Sequence, residues 1–225
     1  VFTGFFLYFL LSICYSKLVC GGYLLLAEIK HITTLEGVIM AISLTKGQKT
    51  NLTKENPNLK KISASLGWDD ESIDFDLDIS AFLLNAEEKV TQDVDFIFYN
   101  NMESETKAVI HTGSSRTEEG HNETIMVDFS KIPSDIEKIP IIVTIHEAGE
   151  RQQNFGQIST AFIRIINKDD NEEILRYDLA EDFSIETAII IAELYKSSGE
   201  WKFRAVGSGF RDGLNALCRN FGVNV

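Results

Sequence analysis

The sequence predicts a mainly β chain, an antiparallel β-sandwich with two or more short peripheral helices. Two observations carry that expectation. From Met40 onward, short runs alternate apolar with polar residues between turn signals, the pattern of half-buried strands. No linker, internal repeat or low-complexity tract interrupts residues 40–225, so a single domain is expected there. The 225 residues are enough to bury a substantial core.

The strand candidates, in order, are Ile42–Leu44, Lys61–Leu66, Phe75–Leu84, Val94–Tyr99, Ala108–Thr112, Thr124–Phe129, Ile141–Glu147, Ala161–Asn167, Glu173–Asp178 and Trp201–Val206. In TIMVDFS the apolar Ile125, Val127 and Phe129 recur with the period of two that puts them on one face of a strand. Trp68 and Trp201 are expected in the core. The polar stretch HTGSSRTEEGHNET, His111–Thr124, reads as a loop. Two helices are expected. Ser184–Lys196 has Ser184 as a cap, Glu186 in the first turn and Gly199 as a stop. Asp212–Asn220 repeats Leu214, Leu217 and Cys218 at helical spacing and is followed by Phe221 and Gly222.

Thirty-four acidic against 21 basic residues give a formal charge of −13. Such a field repels nucleic acid and anionic membrane, so no nucleic acid is expected as a partner, and a cation or a basic protein is. Cys14, Cys20 and Cys218 cannot form a disulfide framework, which points to a reducing, cytoplasmic compartment. Cys218, on an apolar helical stripe, reads as a buried thiol.

Residues 1–26 are almost wholly apolar and carry one charge, Lys17. A secretory signal needs a basic residue ahead of the apolar run, and a membrane span needs about 20 uninterrupted apolar residues. Nothing basic precedes Lys17, which argues against a signal, whereas a span fits on length alone although Lys17 and Gly21-Gly22 interrupt the run. Composition changes abruptly at Met40, and Leu35-Glu36-Gly37 can be encoded by a purine-rich run resembling a bacterial ribosome-binding site. Residues 1–39 are therefore expected to be a non-native upstream extension of a domain spanning 40–225, the alternative being an N-terminal apolar segment. An intact mass that includes them, measured on protein from its own gene, would overturn this.

The richest chemistry lies in WDDESIDFDLDIS, Trp68–Ser80. From Asp74 to Ser80 the alternation is strict, with Phe75, Leu77 and Ile79 on one face and Asp74, Asp76, Asp78 and Ser80 on the other. Successive carboxylates on one face of a strand stand about 6.5–7 Å apart and repel by roughly 0.6 kcal/mol in water, or about 2.4 kcal/mol at an effective dielectric of 20. In water this is tolerable as a solvated surface; half-buried, it calls for a cation. An EF-hand loop would need Gly and Glu where Ile79 and Asn85 stand, so that motif is absent. Calcium still suits hard oxygen ligands in number, and no His/Cys cluster competes for zinc.

Across residues 40–225 the sequence resembles the bacterial TerD family of tellurium-resistance and stress proteins. The resemblance rests on MAISLTKGQKTNLTKENPNLKK, LGWD, FDLDISAFLL, DFIFYNN, HTG, IVTIHEA, RQQNFGQ, AFIRIIN, RYDLAEDFSIETA and GEWKFRAVGSGF, in order. It implies a compact β-sandwich that binds calcium through acidic loops, serves tellurium resistance and the general stress response, and has no established enzymatic activity. It also implies partners among other proteins of the tellurium-resistance operon, a membrane-associated complex included. The family's metal site is implied to draw on its GWD and DFDLDAS elements, matched here by Asp69, Asp76 and Asp78. A third element of the pattern DNRTGEGDGDDE is matched by Gly120 and Glu123. There this chain reads SSRTEEGHNE, with Ser114 in place of the first Asp and His121 and Asn122 in place of the Asp pair. Fewer carboxylates imply weakened calcium affinity, since affinity in such sites follows ligand charge and number. The alternative is the same fold with a decayed metal site and a structural or interaction role.

An enzyme is not expected. Paired carboxylates could perform acid–base chemistry only in divergent environments, GSGFRD lacks the third glycine of a dinucleotide fingerprint, and His111 and His146 have neither metal-ligand spacing nor a neighbouring nucleophile.

Overall fold

The computed structural model describes residues 41–68, 75–117, 120–179 and 183–224. The expectations attached to residues 1–39, Asp69 and Asp74 lie outside them. In chain order the elements are β1 (Ile42–Leu44), β2 (Lys49–Asn51), α1 (Leu52–Glu55), β3 (Lys61–Trp68), β4 (Leu77–Phe82), β5 (Phe96–Ile97), β6 (Val109–Thr117) and β7 (Gly120–Asp128). These are followed by β8 (Lys138–Ile145), α2 (Ala148–Arg151), β9 (Ala161–Asn167), β10 (Glu173–Asp178), β11 (Ala188–Ser197), β12 (Glu200–Phe210) and α3 (Gly213–Phe221).

Two six-stranded sheets sandwich the main core. The first has the order β1-β10-β9-β3-β7-β6 and the second β2-β12-β11-β8-β4-β5. Pairings within them are antiparallel except β1 with β10, which is parallel. Alternation decides which side chains enter the core. Leu77 and Ile79 of β4, Ile125 and Val127 of β7, Ile163 and Ile165 of β9 and Phe203 and Ala205 of β12 are all at most 1% exposed. The expected faces therefore hold, and Trp68 and Trp201 are buried among them. A smaller apolar cluster lies on the outer face of the second sheet, where α3 lays Leu217, Cys218 and Phe221 over Phe82, Ile142, Ala188 and Ile190. The last expected helix is thus present, and Cys218 is buried.

The segment Ser184–Lys196 is not a helix but contains most of β11, paired with β8 on one side and β12 on the other. The reason is double burial. Ile189, Ile191 and Leu194 join the core between the sheets, while Ala188 and Ile190 lie under α3. A strand buried on both faces loses polar alternation and reads as one apolar run, which periodicity cannot distinguish from a buried helix. A bulge between Ile190 and Ala192 blurs the period further. Gly199, expected as a helix stop, forms with Ser198 the two-residue turn into β12, at φ of 77° and 57°, the paired positive φ of a tight hairpin turn.

Two other expectations change. His111–Thr124 is mostly strand, the adjoining parts of the β6–β7 hairpin, with a register shift between His111 and Ser114. Of Val94–Tyr99 only Phe96–Ile97 pairs as a strand. Asp93–Asp95 is a 3-10 turn closed by a reciprocal capping box between Gln92 and Asp95. Gly67 of β3 has a packing role: the Phe162 ring lies where a Cβ would be, 2.3 Å from it, and the Arg176 guanidinium covers the ring at 3.6 Å.

Candidate metal centre

β4 is flanked by β8 along Leu77–Ala81, but on its other side β5 reaches only Ala81 and Phe82. The amide of Ile79 therefore faces a side with no strand, and a buried N–H must find another acceptor. Glu123 supplies it. Its place on β7 has the same parity as Ile125 and Val127, so its side chain points between the sheets, 7% exposed, and Oε2 accepts the Ile79 N–H at 2.7 Å. The same oxygen lies 3.4 Å from Nε2 of His111, which is 2% exposed on β6.

This cross-sheet contact brings the Glu123 carboxylate to the end of β4 that carries Asp76 and Asp78. Asp76 is exposed, whereas the Asp78 side chain retains 22% of its exposure and stands 3.4 Å from Nδ1 of His146. Burial pushes the Asp78 carboxyl up to about 6, and the charges of Glu123 and Asp76 add to that; His146 opposes it. The shift thus marks chiefly a desolvated carboxyl, with two like charges near it as the smaller cause. A cation beside it would be favoured there.

The sequence-derived ligands are thus distributed unevenly. Asp78 interacts electrostatically with both Asp76 and Glu123. Gly120 opens β7 opposite Thr117 and stands three residues from Glu123, roughly 10 Å by strand rise, so it is not beside that carboxylate. Asp69 lies outside the described residues. Among the described residues, no three His, Cys, Asp or Glu side chains are gathered closely enough to enclose a metal ion. The donor set is nevertheless oxygen-rich, with the hardness calcium or magnesium prefers over zinc. Sequence reasoning did not include His111 and His146 in this neighbourhood. The available signals were parity on β6 and the position of His146 immediately after β8, neither of which names a partner.

The TerD domain family profile matches residues 40–221. The chain belongs to the TerD domain family. The TerD relatives include General stress protein 16U of Bacillus subtilis (strain 168), 53% identical over 192 residues, covering 83% of this chain and 100% of that protein. The tellurium resistance protein TerD of Serratia marcescens is 50% identical over 190 residues, covering 82% of this chain and 99% of that protein. A solved homologue of telluride resistance protein (TerD) from Streptomyces coelicolor A3(2) superposes with a TM-score of 0.57 at 21% identity, over 74% of this chain and 100% of that one. At that identity the likeness shows the TerD fold alone. This is accordingly a member of a family of tellurium-resistance and stress-response proteins. Among its described residues no helix is long and apolar enough to cross a membrane.

Proposed function

We propose that this TerD domain is a calcium-responsive stress protein that acts in tellurium resistance and the general stress response, as a cytoplasmic binding module for partner proteins rather than as an enzyme. The partners are other proteins of the tellurium-resistance operon, a membrane-associated complex included; nucleic acid is disfavoured by the charge of −13. Asp76, Asp78 and Glu123, with Asp69, are the proposed calcium ligands.

The observation that carries this reading is the electrostatic repulsion that Glu123 and Asp76 exert on the part-buried Asp78, which is raised to about 6. A divalent cation would relieve that repulsion, and oxygen donors select a hard ion. Ligand loss in SSRTEEGHNE places the affinity toward the weak end of calcium modules, roughly 10⁻⁴–10⁻³ M. Pull-down from native lysate tests the module: partners should be retained in calcium and lost in EDTA, and Asp78→Asn should abolish the difference. Equal retention in both buffers would instead favour a decayed site with a structural role, the reading supported by the absence of a gathered three-ligand cluster among the described residues.

A further inference from the structure

On the outer face of the second sheet, a cleft of about 300 Å³ opens between the β4–β8 surface and the N-terminus of α3. That volume is at the small end for ligand pockets, the size of a metabolite rather than a peptide. We propose that this cleft binds a small zwitterion, an α-amino acid or a compound with the same ammonium and carboxylate groups, held between the first amides of α3 and an acidic rim formed by Asp78 and Glu147.

Two independent features mark the anionic end. The first turn of α3, nine residues long, opens on Gly213 and Leu214, which line the cleft. Its N-cap, Asp212, is exposed and makes no side-chain hydrogen bond to the turn, so the leading amides lack the usual cap. Uncapped amides at a helix N-terminus are donors suited to a carboxylate or phosphate. The second feature is Ser80. It lines the same cleft at 2% exposure, and its Oγ has no hydrogen-bond partner among the described residues. Buried hydroxyls are ordinarily satisfied, and a bound polar molecule would satisfy this one.

The rim disfavours a plain anion. Asp78 and Glu147 both line the cleft, sharing the His146 imidazole at 3.4 and 3.7 Å, and Arg151 Nε stands 3.7 Å from Glu147; no Lys or Arg lines the cleft itself. A monoanion would approach two carboxylates that share one imidazole, while a simple cation would leave the α3 amides and Ser80 unused. A zwitterion answers both ends. Glu147 also adopts φ 51°, ψ 32°, a left-handed conformation unfavourable for a residue with a Cβ and of the kind retained at ligand sites. Phe98 and the half-exposed Tyr99 wall the cleft and offer apolar surface to the remainder of the ligand. The inference does not depend on calcium, although Asp78 is shared with the proposed metal centre and the two ligands would be coupled through it.

The test is a ¹H–¹⁵N correlation titration of the full chain in EDTA with each of the twenty common α-amino acids, and with acetate and methylammonium as the two half-ligands. At least one amino acid should shift the Gly213 and Leu214 amides saturably, at concentrations where neither half-ligand does. Ser80→Ala should weaken that binding about fivefold, the effect of one lost hydrogen bond, without lowering Tm, because the hydroxyl it removes is unsatisfied in the free protein. Thr144→Val, on the same wall, should weaken it similarly and serves as the second variant. The proposal is overturned if no amino acid moves those amides, if acetate alone moves them as far, or if both variants bind as tightly as the parent. Because EDTA is present throughout, such a failure says nothing against the calcium reading.

Discussion

Asp78→Asn is predicted to stabilise the calcium-free protein, and by an amount that depends on pH. In the folded chain the Asp78 carboxyl titrates at about 6 against an ordinary 3.8, chiefly because of burial, with Glu123 and Asp76 adding to the shift. Each unit of pKa difference corresponds to about 1.4 kcal/mol, so the full effect is roughly 3 kcal/mol. Its sign follows from proton linkage. A carboxyl whose folded pKa is raised binds its proton more tightly in the folded state. Its favourable contribution is fully present below the unfolded value of 3.8 and is lost as pH rises through about 6. Above that window wild type carries an unfavourable buried charge, which asparagine lacks while keeping polar contact with His146. Urea unfolding in EDTA should therefore find the variant and wild type nearly equal at about pH 4, and the variant more stable by about 2–3 kcal/mol at about pH 8. That difference corresponds to roughly 5–10 °C in Tm for a domain of this size. Taking the difference between the two proteins cancels the other titrating groups. Parallel pH profiles, or a variant less stable than wild type at the higher pH, would refute the reasoning.

Glu123→Gln keeps an oxygen for the Ile79 amide but removes a charge that raises Asp78, so carboxyl ¹³C titration should find Asp78 moved down toward the ordinary carboxylate range; a value still at about 6 would contradict this. Gly67→Ala places a Cβ 2.3 Å from the Phe162 ring and should cost about 1–3 kcal/mol of overpacking strain in urea unfolding, whereas no measurable loss would show that the ring is free to shift. Ile191→Ala, fully buried between the sheets, should cost about 2–5 kcal/mol, and a loss under about 1 kcal/mol would place β11 elsewhere than at the core. Cys218 is 1% exposed and its thiol pKa is raised by burial, so a thiol-reactive disulfide dye should label it slowly in the native protein and rapidly in urea.

How far the sequence could be read depended on what covers each strand. β1, β9 and β10 were legible to their end residues, while β7 and β8 were read by their cores with shifted ends. β11 was not legible, because α3 covers the face that would otherwise have been polar and supplied the alternation. β5 was over-read because Val94–Tyr99 has strand composition, but a capping box turns its first half into a 3-10 segment. At the candidate metal centre, the alternation of Asp76, Asp78 and Ser80 was visible from residue order alone. That Ser80 is buried was not, since the burial comes from tertiary packing on the outer face. The approach of Glu123 was out of reach of any local pattern. It arises because β5 is too short to cover the Ile79 amide, and the carboxylate that caps it lies 44 residues further along the chain. His111 and His146 were hidden because each meets its carboxylate across a neighbouring strand of its own sheet, β6 on β7 and the end of β8 on β4, a pairing that no local pattern names.

The central claim is that the carboxylates joined by this packing await a hard divalent cation. Calorimetric titration of the EDTA-stripped, re-dialysed protein with calcium, and separately with magnesium, tests it most directly. The account predicts a saturable calcium heat, an affinity of roughly 10⁻⁴–10⁻³ M, weaker or no magnesium binding, and a rise in Tm that Asp78→Asn abolishes. No heat and no change in Tm at about 10 mM calcium, some ten or more times that dissociation constant, would contradict it.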